Sequence, residues 1–147
     1  MARKKSDKTE YIVYFLGFLL IIALVVYCVH VRVQENFARN EPKVREIKER
    51  LKILDPSIEN LEFFAADKSY TINKHKVHLC LKDENGDYYQ DNMLMYVALH
   101  ELAHVFCDEI GHTNKFNMIF KDLLIKAEKL GLYDSNIPPL ANYCNYS

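Results

Sequence analysis

His100-Glu101-Leu102-Ala103-His104 is the segment of this 147-residue chain whose residue types and spacing most directly imply chemistry. Two histidines four residues apart on a helix stand on one face, one turn above the other. Their imidazoles can then meet a single Zn²⁺ at about 2.0–2.1 Å without bending the backbone. Glu101 is rotated partly off that face but reaches the space beside the metal, where its carboxylate can take a proton from a water that the metal has acidified. The polarised water attacks a peptide carbonyl, and the protonated carboxyl hands its proton to the leaving amine. A solvated helix with two incidental histidines would not have apolar residues before, within and after the motif, and a structural metal site would not need the intervening acid. At ordinary residue frequencies HExxH arises in fewer than roughly one in a hundred chains of this size, which makes a site the better reading.

A catalytic zinc keeps three protein ligands and one open position. His112 is the expected third ligand, because Gly111 before it lets the chain reverse and return a side chain towards the metal. Asp108 and Glu109 compete with it as carboxylates. Cys107 can supply a thiolate but is read as a small buried hydrophobe. His75 and His78 fall in the strand region and read as exposed or half-buried sheet residues. Tyr133 and Tyr143 can each donate a hydrogen bond to a developing oxyanion, although neither stands out among ten tyrosines.

These residues need a scaffold. Asp91 or Asn92 can cap the helix that carries the motif, whose apolar residues include Met93, Leu94, Val97, Leu102 and Phe106, and Gly111 can stop it in a left-handed turn. Thr113 can cap a second helix, in which Phe116, Ile119, Phe120, Leu123, Leu124, Ala127 and Leu130 form one apolar stripe ending at Gly131. Upstream, Asn40, Glu41 and Pro42 start a helix with Val44, Ile47, Leu51 and Leu54 at helical spacing, and Pro56 ends it. Between Ile58 and Tyr89 the pattern changes to strand. LEFFAA (61–66) is short and aromatic, and KVHLCL (76–81) alternates Val77, Leu79 and Leu81 with Lys76, His78 and Cys80. Asn73-Lys74 and Asn85-Gly86 supply turns, so three or four short antiparallel strands are expected. The tail, 132–147, reads as irregular chain docked by Tyr133, Leu140 and Tyr143.

From Tyr11 to Val31 there is no Asp, Glu, Lys or Arg. As a helix that stretch covers roughly 30 Å, the thickness of a bilayer's hydrocarbon core, and Tyr11, Tyr14 and Tyr27 lie near its ends, where amphipathic rings favour the interface. A signal peptide has a shorter apolar region and a small-residue cleavage site, and a buried helix this long needs a larger protein around it. The organisation expected is therefore a basic tail (1–10), a transmembrane helix (11–31), a linker (32–41) and a folded domain (42–147), anchored to a lipid bilayer through residues 11–31. Arg3, Lys4, Lys5 and Lys8 nearly balance Arg32, Arg39, Lys43 and Arg45, with the tighter N-terminal cluster favouring a cytoplasmic N-terminus. Cys28 lies in the span, and the remaining Cys80, Cys107 and Cys144 are odd in number, which argues against a full disulfide framework. Asn145-Tyr146-Ser147 is a glycosylation sequon. Beyond residue 31 there are 15 Lys and Arg against 18 Asp and Glu, a formal charge of −3, so no nucleic-acid partner is expected.

HELAHVFCDEIGHTNKF (100–116) resembles the SprT-like and WLM-type zinc metallopeptidases of the zincin group, in which HExxH is followed by a third His and then an aromatic residue some four positions on. His112 and Phe116 match that arrangement. The resemblance covers about residues 58–132 and implies an α+β, minimal zincin-like domain: a small antiparallel sheet with an active-site helix and packing helices. It also implies one Zn²⁺ per chain on His100, His104 and His112, with Glu101 as general base. An edge strand, here KVHLCL, would bind an extended protein or peptide substrate by backbone pairing. With its N-terminal span the whole chain also resembles small membrane-anchored metallopeptidases of large DNA viruses. The metzincin pattern HExxHxxGxxH is excluded, because Cys107 and Ile110 occupy its Gly and last His positions. Relatives of the SprT-like and WLM groups that act on DNA–protein crosslinks are soluble or chromatin-associated. A membrane span, no basic excess and no second zinc module keep that role from being carried over. The function expected is a membrane-anchored zinc endopeptidase; the alternative is a non-catalytic tethered binding protein on the same scaffold with structural zinc.

Overall fold

The computed structural model describes residues 4–144, so the Asn145-Tyr146-Ser147 sequon lies outside the described residues. The chain divides into two units, Met1–Phe37 and Ala38–Ser147. The first is taken up by helix α1, Lys4–Arg39, which is long and apolar enough to cross a membrane. The polar stretch expected as a linker, 32–41, is mostly helical: α1 runs through it to Arg39, leaving only Asn40 and Glu41 before the next helix. Residues 32–39 contain no Gly or Pro and several good helix formers, so nothing in them ends the helix.

The second unit is mixed α+β: α2 (Pro42–Leu54), a 3-10 turn (Pro56–Asn60), β1 (Glu62–Ala65), β2 (Tyr70–Ile72), β3 (Lys76–Leu79), α3 (Asp91–Phe106) and α4 (Asn114–Lys129). The stripe expected of α2, Val44, Ile47, Leu51 and Leu54, is its buried face. Pro42 sits in its first turn, and Asp55, in extended conformation, ends it while accepting the Ser57 N–H at 2.8 Å.

The three strands form one sheet in the order β1-β3-β2. β2 and β3 are antiparallel, with Thr71 opposite Val77, and β1 and β3 are parallel, with Phe63 opposite Val77. This corrects the expectation of an all-antiparallel sheet, and topology explains it. β2 and β3 form a hairpin through Asn73 and Lys74, whose positive φ angles of 51° and 53° give the tight turn its hand. β1 takes the other side of β3, two reversals away in the chain, and must run parallel to it. β3, the first four residues of KVHLCL, is consequently the central strand and not an edge; β1 and β2 are the edges. The segment after Asn85-Gly86 adds one antiparallel bridge, Lys82 to Tyr88, and no fourth strand among the described residues.

α3 is the core helix. Nine of its sixteen residues are buried, since it packs on α2, β2 and β3 as well as on α4, and a helix enclosed in this way must be apolar round most of its circumference. Its N-terminus has no side-chain cap. Asp91 instead pairs with Lys43 (2.7 Å) and Arg50 (3.5 Å), and Asn92 exchanges hydrogen bonds with the Asp134 backbone (3.0 and 2.8 Å), tying down the tail. The helix also stops short of Gly111. At Cys107 the backbone becomes extended (φ −82°, ψ 126°) and the thiol turns into the core. Thr113 caps α4 as expected, accepting the Phe116 N–H at 3.3 Å, and Gly131, at φ 68°, ends it.

The tail is held mainly by its end. Cys144 forms a disulfide with Cys80 across 64 residues, leaving Cys107 buried and free. Next to it the Tyr143 hydroxyl donates to the Cys80 carbonyl and lies 3.1 Å from the Ser69 hydroxyl. Tyr133 and Tyr143 pack on the core, whereas Leu140 is 53% exposed and docks through its backbone N–H on the Met93 sulfur.

Candidate metal centre

The helical spacing does for His100 and His104 what the sequence requires of it, placing their ring centroids 5.0 Å apart on α3. His112 arrives from the loop after α3. Gly111, at φ 85°, lets that loop double back, and the His112 ring comes to 4.9 Å from His100 and 5.0 Å from His104. The Nε2 atoms of His112 and His100 are 3.0 Å apart, and one ring nitrogen from each of the three lies within 4.8 Å of the others. Neighbouring ligands on a tetrahedral zinc with bonds near 2.05 Å stand about 3.3 Å apart, so the three imidazoles fit such an ion with only small adjustment. The other candidates are elsewhere. Asp108 pairs with Lys115 at 2.6 Å, Glu109 lines the cleft without joining the cluster, and Cys107 is fully buried in the core.

Phe116 forms the floor. Its ring is 4.3 Å from His104, 4.8 Å from His112 and 5.0 Å from His100, and Phe120 adds a contact at 5.1 Å to His100. Both residues were legible as members of the α4 stripe. Their place beneath the imidazoles was not.

Glu101 lies beside the cluster, 5% exposed, and its Oε2 accepts a hydrogen bond from Thr71 Oγ1 at 2.8 Å. Thr71 belongs to β2, so strand and helix meet at this carboxylate. Together they border a cleft of about 510 Å³, with Ser69, Tyr70 and Thr71 on one wall, Ile110, Gly111 and His112 on the other, and His100, Glu101 and His104 between them. Lys74, from the β2–β3 turn, donates to the Cys107 carbonyl and ties that turn to the end of α3. Sequence reading missed Thr71 and Lys74. The alternation Tyr70-Thr71-Ile72 could have pointed Thr71 inward, but only with the pairing of β2 already known.

Tyr133 packs on Tyr96 with ring centroids 6.0 Å apart, and the Tyr143 hydroxyl is engaged beside the Cys80–Cys144 bridge; neither lines the cleft. Burial pushes the Tyr143 hydroxyl up to about 12. His78 is on the sheet as expected, sandwiched between Phe64 (4.9 Å) and Tyr70 (4.4 Å), whereas His75 falls in the exposed β2–β3 turn, 3.5 Å from Glu62.

Burial dominates the electrostatics of the site. It pushes His100 down to about 4, helped by His104 and His112, and lowers His104, helped by His112. It raises Glu101, against the opposing hydrogen bond from Thr71. The two histidines are thus held in the neutral form that a metal ligand needs.

No protein-family model matches the chain, and no solved structure matches it at a significant level. It is similar to three viral proteins. Over 80 residues it is 58% identical to uncharacterized protein 136R of invertebrate iridescent virus 6, covering 52% of this chain and 45% of that protein. Over 87 residues it is 47% identical to uncharacterized protein 042R of invertebrate iridescent virus 3, covering 58% and 55%. Uncharacterized protein R325 of Acanthamoeba polyphaga mimivirus is 37% identical over 117 residues, covering 74% and 56%. The chain therefore spans about half the length of these relatives.

The depressed pKa of His100 has a consequence for stability. Between pH 6.5 and about 4 the unfolded chain binds a proton at this residue that the folded, metal-free chain does not. Stability must fall as pH falls through that window, and the contribution is level above it. In chemical denaturation with chelator present, wild type is expected to lose more stability from pH 6.5 to 4 than His100→Asn does. Equal losses would contradict the buried, neutral His100.

Proposed function

We propose that the folded domain is a zinc-dependent endopeptidase on a minimal zincin-like scaffold, held at a lipid bilayer by α1. The observation that carries this reading is the convergence of His100, His104 and His112 beside the buried carboxylate of Glu101 in one open cleft. The three imidazoles would hold the metal. A Zn²⁺ bound there supplies a Lewis acid for the substrate carbonyl and lowers the pKa of water. Glu101, with its affinity for protons raised by burial, accepts a proton from the attacking water and delivers it to the leaving nitrogen. The edge of β2 borders the cleft, and it takes over from KVHLCL the role of pairing with an extended protein or peptide substrate. Cys107, the strongest candidate for a fourth ligand, is buried in the core, and the described residues gather three ligands only. That supports an open, catalytic site over the structural zinc of a non-catalytic binding protein. The −3 charge beyond residue 31 favours no nucleic-acid partner.

Glu101→Gln is expected to lower kcat by about 10²- to 10⁴-fold with zinc content unchanged, followed as casein cleavage by the full-length protein in detergent. Undiminished cleavage would remove Glu101 from the mechanism.

The anchor reading rests on the length of α1 and on its apolar window, none of which is buried. The Cys80–Cys144 disulfide favours one orientation, since such bonds persist in oxidising compartments. The domain then faces away from the reducing cytosol, with the basic N-terminal residues on the cytosolic side. In sealed microsomes the domain is expected to resist added protease, and Cys80 and Cys144 to react with maleimide only after reduction. A digested domain with both thiols already free would reverse the orientation.

A further inference from the structure

We infer that Thr71 is a positioning residue for Glu101, so that the edge strand β2 aims the general base as well as bordering the cleft; this rests on the peptidase reading above. Glu101 is the one buried charged side chain among the described residues. A carboxylate in that position needs a hydrogen-bond partner, and Thr71 Oγ1 provides it at 2.8 Å to Oε2. The same hydroxyl lies 3.2 Å from the Glu101 backbone carbonyl. Its single proton is shared between the side chain and main chain of one residue, favouring the shorter contact to Oε2. With Oε2 engaged, Oε1 is the oxygen left to meet the water. Threonine suits the task because a β-branched side chain is stiff at its first torsion.

The hydroxyl is only as well aimed as its strand, and β2 is fixed at both ends. On the N-terminal side, the Ser69 hydroxyl accepts the Cys80 N–H at 2.9 Å and meets the Tyr143 hydroxyl at 3.1 Å. On the C-terminal side, Lys74 donates to the Cys107 carbonyl at the end of α3. In between, Tyr70 stacks on His78 and Thr71 lies opposite Val77 in the ladder. The two end ties connect β2 to the tail staple and to the helix that carries the motif, and the ties between them join it to β3. None is needed merely to bury the strand, which has Tyr70 and Ile72 exposed.

Thr71→Val keeps the shape and removes the donor. Loss of a hydrogen bond to a charged group predicts a fall in kcat of about 10- to 100-fold, with KM and zinc content unchanged, and Thr71→Ser restoring most of the rate. In a Glu101→Gln background Thr71→Val should have little further effect, because both changes act through one group. A purely structural residue would instead lower the content of folded, zinc-loaded protein and would add to Glu101→Gln. Wild-type hydrolysis matched by Thr71→Val, or additive losses in the double variant, would overturn the inference alone. An inactive wild type would remove the peptidase reading and the inference with it.

Discussion

Helix α3 has to satisfy two demands along one length of chain. Nine of its residues are enclosed by the sheet, α2 and α4, while His100 and His104 must reach a solvent-filled cleft and Glu101 must sit between core and cleft. The burial that makes α3 the centre of the fold also sets the chemistry of its polar strip. It disfavours charge on His100 and His104 and on Glu101 alike, so the helix presents neutral nitrogens and a carboxyl with raised proton affinity in the same turn. Phe116 extends this by packing under all three imidazoles, replacing water on their inner side.

The other elements can be understood as supports for that strip. The loop that ends α3 early at Cys107 frees the chain to bring His112 back, and the buried thiol keeps the loop's origin fixed in the core. The hairpin puts β2 at the sheet edge beside Glu101. The Cys80–Cys144 bridge pins the tail to the strand region next to Ser69. A small domain gains much from such a covalent closure, because its apolar core alone is limited.

How much of this was legible depended on whether the signal is local. The α2 stripe, the Thr113 cap, the Gly131 stop and the Asn73-Lys74 turn could be read because periodicity, capping and left-handed backbone are written within a few residues. The three histidines could be read because helical pitch relates His100 to His104 and Gly111 licenses the return of His112. The parallel pairing of β1 with β3 could not, since alternation tells which face of a strand is buried but neither its neighbour nor its direction. The same holds for Thr71, whose partner is thirty residues away in the chain. The end of α3 was misplaced because Gly111 is an obvious terminator, whereas Cys107 ends the helix through tertiary burial. The disulfide was hidden because an odd count of cysteines says nothing about which two meet.

The most direct test is the zinc content and ligand set of the purified full-length protein in detergent, by metal analysis and X-ray absorption, for wild type and His112→Ala. One zinc per chain with three nitrogen ligands and one oxygen is expected, with zinc weakened or lost in the variant. A protein without zinc, or a closed site with a sulfur ligand that is indifferent to His112, would contradict the metal centre.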